Sequence, residues 1–241
     1  MAELVVALDV PDARAALALV ERLGPTADFY KVGLELFTAE GPDVVRRLTG
    51  MGKRVFLDLK LHDIPTTVAG AVASASRLGV DLLTVHTGGG PSMLRAAAET
   101  AGSTGPRLLG VTLLTSLSAA EVEAAWGRTL QSMRDEVIRL AELALECGLP
   151  GVVASPLEAE AIRRRVGKAL LIVTPGIRLA GGETHDQARM ATPAAAVEAG
   201  ADLLVVGRAV TAAPDPIAAY RQIQAEASGP HVPDSSRPDD R

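Results

Sequence analysis

The feature that most constrains this chain is a rhythm. Short β-branched and aliphatic runs alternate with Ala/Leu-rich stretches of helical spacing along nearly its whole length. Eight such runs begin near Glu3 (ELVVALDV), Phe29 (FYKVGLEL), Arg54 (RVFLDLKL), Leu82 (LLTVHTG), Arg107 (RLLGVTLL), Gly151 (GVVASP), Leu170 (LLIVTPGI) and Leu203 (LLVVGRAV). Each is followed by apolar residues at helical spacing, as in Ala13 to Leu23 and Ser132 to Leu145. Runs that are apolar throughout suit parallel strands buried on both faces. Eight of them in 241 residues fit a closed (β/α)8 TIM barrel, an α/β fold, better than an open doubly wound sheet.

No linker-like stretch interrupts the pattern before about Ser228, so residues 1–227 read as one barrel domain. Residues 228–241 (SGPHVPDSSRPDDR) read as a polar, disordered tail. With net charge −5 and the 24 basic residues scattered, no nucleic-acid footprint or membrane-surface patch is expected. Aromatic residues at 2% argue further against base-stacking platforms. The single cysteine, Cys147, cannot form an intramolecular disulfide, and the opening MAELVVALDV has neither a basic n-region nor a cleavage site. No apolar run is long enough for a membrane span. A reducing cytoplasm is the expected compartment.

Active sites of such barrels sit at the carboxyl ends of the strands and in the loops that follow. In this chain those ends read Asp9, Lys31, Asp58 with Lys60, His86, Thr115 with Ser116, Ser155, Pro175 to Arg178, and Gly207 with Arg208. Asp58 and Lys60 are two residues apart, so on a strand both point to one face, here the barrel interior. Burying both is expensive unless they pair or act. Taken alone they could be an interior salt bridge. Lys31 one strand earlier and Asp63 just past the strand end extend them into an alternating Lys/Asp constellation, more than packing requires.

After the seventh and eighth strands stand Pro175-Gly176-Ile177-Arg178 and Gly207-Arg208. These are the loops where such barrels hold phosphate, with glycine admitting backbone N–H groups and arginine supplying a fork. Either motif alone would read as a turn with a solvated arginine; together they point to a phosphorylated small molecule. The glycine run after His86 reads as a turn. The segment 116–131 reads as a lid or rim. The four histidines form no zinc-ligand pattern, and no metal site is expected. Nucleophile-elbow, dinucleotide and P-loop fingerprints are missing.

Across residues 3–221 the chain resembles the orotidine 5′-phosphate decarboxylase family. The resemblance rests on ALDV at 7–10, KVGLELF at 31–37, DLKLHDIPTT at 58–67, LTS at 114–116, TPGIR at 174–178, Gln187, and VVGRAVTAAPDP at 205–216. It departs at Leu61, where phenylalanine is common in the family, and at Thr66, where asparagine is frequent. The resemblance implies decarboxylation of orotidine 5′-phosphate to UMP and CO2 with no metal or cofactor. It makes Lys60 the proton donor and sets Asp58 against the departing carboxylate. Lys31 would hold Asp58 and meet the ribose. Asp9 would take ribose hydroxyls and Thr115 the pyrimidine; Arg178 and Arg208 would hold the phosphate with Gly207 giving backbone approach, Gln187 would bridge phosphate and base, and Pro175 would be a further substrate contact. It further implies a homodimer in which Asp63 and Thr67 reach the neighbouring subunit's site. Two rival readings use the same residues. One is a Mg-dependent sugar-phosphate decarboxylase or aldol-type synthase, which would need a further acidic ligand beyond Glu35. The other is a phosphate-ligand binding module without turnover, against which an intact Lys60 argues.

Overall fold

The structure, a computed structural model, describes residues 2–179 and 190–229. In chain order the elements are β1 (Glu3–Ala7), α1 (Ala13–Leu23), β2 (Phe29–Gly33), α2 (Leu34–Glu40), α3 (Pro42–Gly50), β3 (Arg54–Leu61), α4 (Pro65–Arg77) and β4 (Leu82–His86). They continue with α5 (Gly90–Ala101), β5 (Arg107–Val111), α6 (Ala119–Trp126), α7 (Met133–Glu146), β6 (Gly151–Val153), α8 (Pro156–Val166) and β7 (Leu171–Thr174). The last are α9 (Pro193–Glu198), β8 (Leu203–Val206), α10 (Arg208–Thr211) and α11 (Pro216–Ser228). Every strand pairs in parallel with the next, and β1 closes on β8 through Glu3↔Leu203 to Val6↔Val206. That closure decides for the barrel over the doubly wound sheet.

Two cores follow from the alternation of side chains. Val5, Ala7, Phe29, Phe56, Leu82, Leu109, Val173, Leu203 and Val205 fill the barrel itself. The intervening Leu4, Val6, Leu204 and Val206 pack outward against the helices. Both faces of each strand are therefore buried, which is why the runs are apolar throughout.

Side-chain caps set several helix starts. Asp12 accepts from the Ala15 N–H at 2.8 Å, and Ser132 accepts from the Asp135 N–H at 3.0 Å. In the 116–131 segment, Ser118 and Glu121 form a reciprocal capping box that starts α6. The last helix runs to Ser228, one residue into the stretch read as tail, and the Ser228 hydroxyl donates to the Gln224 carbonyl at 2.7 Å.

The amino-terminal end of the barrel is stitched by two arginines. Arg54 pairs with Glu3 and, at 3.2 Å, with Asp81, and its guanidinium lies 4.0 Å above the Phe29 ring. Arg163 donates to the carbonyls of Gly167, Leu170 and Gly200 and to the Asp202 carboxylate, which also accepts from the Ile172 N–H. No helix among the described residues is long and apolar enough to cross a membrane.

Candidate active site

At the opposite end the carboxyl termini of the strands surround a cavity of about 500 Å³. Its wall includes Asp9, Lys31, Asp58, Lys60, Thr115, Pro175, Arg178, Gly207 and Arg208, all expected from the sequence. Phe56, Val111, Leu113, Leu114, Val153 and Val205 add apolar surface, and Ala7, Gly176 and Thr211 complete the lining. A cavity of this size, lined about equally by polar and apolar groups, suits one small polar molecule.

The charged groups form a chain. Lys60 Nζ lies 2.9 Å from each oxygen of Asp58. Lys31 Nζ sits 3.7 Å from Asp58 Oδ2 and makes its hydrogen bond to Asp9 Oδ1 at 2.9 Å instead. Lys31 thus bridges the two acids but leans toward Asp9. Asp58 and Lys31 are largely buried, with side chains 13% and 12% exposed, whereas Asp9 is 60% exposed at the rim. Room for the lysine comes from Gly33, the next residue on the same face of β2: a Cβ there would lie 2.9 Å from Lys31 Nζ.

Strand alternation brings Asp58 and Lys60 to one side, yet the backbone does more than alternate. Lys60 has φ +50°, alone among the described non-glycine residues in the left-handed region. Such a conformation costs roughly 1–3 kcal/mol and persists only where its surroundings hold it. The cause lies in the β3/β4 register, which is regular through Leu57↔Leu83 and resumes at Leu61↔Val85 after a shift. Thr84 on β4, fully buried, stands in that gap. Its Oγ1 accepts from the Lys60 N–H at 2.8 Å and donates to Asp58 Oδ1 at 3.0 Å. Sequence reasoning passed over Thr84, whose only signal was a lone hydroxyl within the aliphatic run LLTVH.

Across the barrel, Gly176 with φ +82° turns the chain after Pro175 and sends Arg178 back to the mouth. The Arg178 N–H donates to the Ala191 carbonyl at 3.0 Å, and its guanidinium to the Ile177 carbonyl at 2.9 Å. Burial and then the neighbouring Arg208 guanidinium push Arg178 below the ordinary arginine range. Two cations held this close favour an anionic ligand between them.

Other expected residues fall elsewhere. Asp63 and Thr67 are exposed and line no part of this cavity, and Asp63 Oδ1 accepts from the adjacent Ile64 N–H at 2.6 Å. Gln187 lies outside the described residues. Ser155 is the buried N-cap of α8, taking the Leu157 N–H at 3.2 Å. His86 stacks on His62 with ring centroids 5.1 Å apart, and its Nδ1 accepts from the Gly88 N–H at 3.1 Å. Burial, followed by His62 and Lys60, lowers its pKa below 6.5. None of residues 116–131 lines the cavity, so α6 and its flanks form outer rim rather than wall. Among the described residues, no group of three or more His, Cys, Asp and Glu is arranged to hold a metal ion.

A closed barrel with its charged cavity at the carboxyl ends of the strands defines a (β/α)8-barrel enzyme. Residues 2–223 match the orotidine 5′-phosphate decarboxylase / HUMPS family, and the chain belongs to it. It is 52% identical over 231 residues to the orotidine 5′-phosphate decarboxylase of Moorella thermoacetica, covering 93% of this chain and 91% of that protein. To the enzyme of the same name from Halorhodospira halophila it is 54% identical over 225 residues, covering 92% and 94%. Among solved structures, orotidine 5′-phosphate decarboxylase from Lactobacillus acidophilus superposes with a TM-score of 0.84 at 38% identity, covering 95% of this chain and 100% of that one. The corresponding Pyrococcus horikoshii structure gives 0.75 at 28% identity, covering 94% and 99%.

Proposed function

We propose that this protein decarboxylates orotidine 5′-phosphate to UMP and CO2 in pyrimidine biosynthesis, using side chains alone. The observation that carries the reading is the Asp9–Lys31–Asp58–Lys60 chain along β1 to β3, with Arg178 after β7 facing it across the cavity and Arg208 after β8 beside the Asp9 end, where β8 closes on β1. The arginines hold the phosphate, with Gly207 giving backbone approach and Pro175 a further contact, and Gln187 is assigned to bridge phosphate and base. Asp9 and Lys31 take the ribose hydroxyls, and Thr115 meets the pyrimidine.

With the ring so held, the carboxylate on C6 faces Asp58. Two unit charges roughly 4 Å apart interact by about 4 kcal/mol at an effective dielectric near 20. Enzymes commonly supply about 8–23 kcal/mol, so repulsion is a minor share. The C6–carboxylate bond breaks, CO2 leaves, and the electron pair stays on C6 beside the Lys60 ammonium, whose preorganised charge supplies the larger part. Lys60 Nζ then gives its proton to C6 and recovers one from solvent. The pairing of Lys60 with both Asp58 oxygens supports this role, because it holds the ammonium at the cavity wall, beside the carboxylate that faces the leaving group. A loss of orotidine 5′-phosphate absorbance on adding the protein, undiminished after EDTA treatment, is the expected result; no turnover would overturn the reading.

We further propose a cytoplasmic homodimer with shared sites, in which Asp63 and Thr67 serve the neighbouring subunit. Their exposure outside their own cavity supports this. Lys60→Ala and Asp63→Ala should each be nearly inactive, yet mixing them should restore roughly a quarter of wild-type activity, since half the dimers are hybrids with one intact site. Proven subunit exchange without recovery would place Asp63 in its own chain's chemistry. The barrel domain carries all of this, and removing the polar tail beyond the last helix should change neither activity nor melting temperature.

A further inference from the structure

The register shift in β3 places three residues, Asp58, Leu59 and Lys60, opposite the single residue Thr84 of β4. A strand bulged in this way loses ladder bonds, and each displaced backbone N–H must find another acceptor. For Lys60 that acceptor is the Thr84 hydroxyl, at 2.8 Å. The direction of the bonds is fixed by chemistry. A backbone N–H can only donate and an ionised carboxylate can only accept, so Thr84 Oγ1 receives from Lys60 and sends its one proton to Asp58 Oδ1, 3.0 Å away. The hydroxyl is fully buried on a β-branched side chain with restricted χ1, and it lines no part of the cavity.

We propose that Thr84 is a positioning residue: its hydroxyl replaces the missing ladder bond and fastens the Lys60 backbone at φ +50° to the Asp58 carboxylate, so that the two charged groups reach the cavity as one unit. The proposal rests on the decarboxylase reading given above. It differs from a packing role because shape alone does not suffice. Valine has the same branching and nearly the same volume but makes neither bond.

The test measures orotidine 5′-phosphate turnover by wild type, Thr84→Val and Thr84→Ser, with amide hydrogen exchange at Lys60 followed in the same proteins. Thr84→Val should lose kcat by roughly 10- to 100-fold, the scale for a lost hydrogen bond to a charged group. Its KM should move less than about threefold, because the arginine grip on the phosphate is untouched. Thr84→Ser keeps the hydroxyl and should recover most of kcat. The Lys60 N–H should exchange slowly in wild type and Thr84→Ser and markedly faster in Thr84→Val. If Thr84→Val does not fold, Thr84→Cys takes its place; its weakly bonding thiol should give intermediate kcat and exchange. A Val or Cys variant with wild-type kcat would overturn the proposal, as would a Ser variant that falls as far as Val. Inactive wild type would instead overturn the decarboxylase reading, and exchange would still decide whether Thr84 holds Lys60: rates unchanged by Thr84→Val would refute it.

Discussion

The two ends of the barrel use the same kinds of charged residue to opposite effect. At the amino-terminal end, Arg54 spends its donors on Glu3 and Asp81 and covers the Phe29 ring, while Arg163 is shared among three carbonyls and Asp202. There, each cation joins segments distant in sequence. At the carboxyl end, Lys31, Lys60, Arg178 and Arg208 border one cavity, Arg178 is pushed down in pKa by burial and by Arg208, and Lys60 sits in a strained backbone. One end converts charge into connections within the fold. The other keeps charge concentrated at a cost, as a protein does where a ligand is to complete the balance.

The sharpest way to break this comparison is to exchange the consequences. Lys60→Ala should reduce kcat by roughly 10⁴-fold or more, since proton donor and stabilising charge vanish together, while melting temperature and UMP binding stay near wild type. A large drop in melting temperature would mean that Lys60 belongs to the structural end after all. Next in size, Arg208→Ala should weaken orotidine 5′-phosphate binding by roughly 10- to 100-fold and leave orotidine, without its phosphate, nearly unaffected, as measured by calorimetric titration. Equal losses for both ligands would remove the phosphate role.

Arg163→Met should do the reverse: a loss of about 2 kcal/mol in stability, or roughly 4–8 °C in melting temperature, with kcat unchanged. The smallest effect concerns His86, whose pKa in the fold lies below 6.5 because of burial and then its neighbours His62 and Lys60. As pH falls, the unfolded chain takes this proton first, so the ring's contribution is complete above 6.5 and is lost as pH drops through the lower folded value. Melting temperature measured from about pH 7 to pH 5 should therefore fall less steeply in His86→Gln than in wild type.

Much of the fold could be read directly. Seven strands begin at the residues where their aliphatic runs begin, and β7 starts at Leu171 beside the expected Leu170. This works because burial on both faces writes each strand as an unbroken apolar run. The helix expected over Ala13 to Leu23 has those bounds, and Ser132 proves to be a cap rather than a helical residue. Within the site, position in the fold identified the charged wall residues, but His86 and Ser155, also at strand ends, line no part of the cavity, and Thr211 of α10 was not foreseen. What alternation could not reveal was the register shift at Leu57/Leu61. Two extra residues leave the alternation in phase, so periodicity carries no signal of them, and the φ of Lys60 and the part proposed for Thr84 stayed hidden. The preference of Lys31 for Asp9 over Asp58 was equally unreadable, because it depends on ångström-scale placement rather than on face.

The Arg54 plug has a consequence for molecular traffic. Below the cavity the barrel is packed by Phe29, Phe56, Leu82 and their neighbours and capped by the Arg54 guanidinium over the Phe29 ring. The barrel is a cul-de-sac. Whatever enters at the mouth must leave by the same doorway, and if Arg178 and Arg208 hold the phosphate as proposed, a nucleotide product that keeps it must be let go by the same two arginines that drew its precursor in. The grip that speeds arrival therefore also delays departure, and the best strength for it is a compromise between capture and clearance.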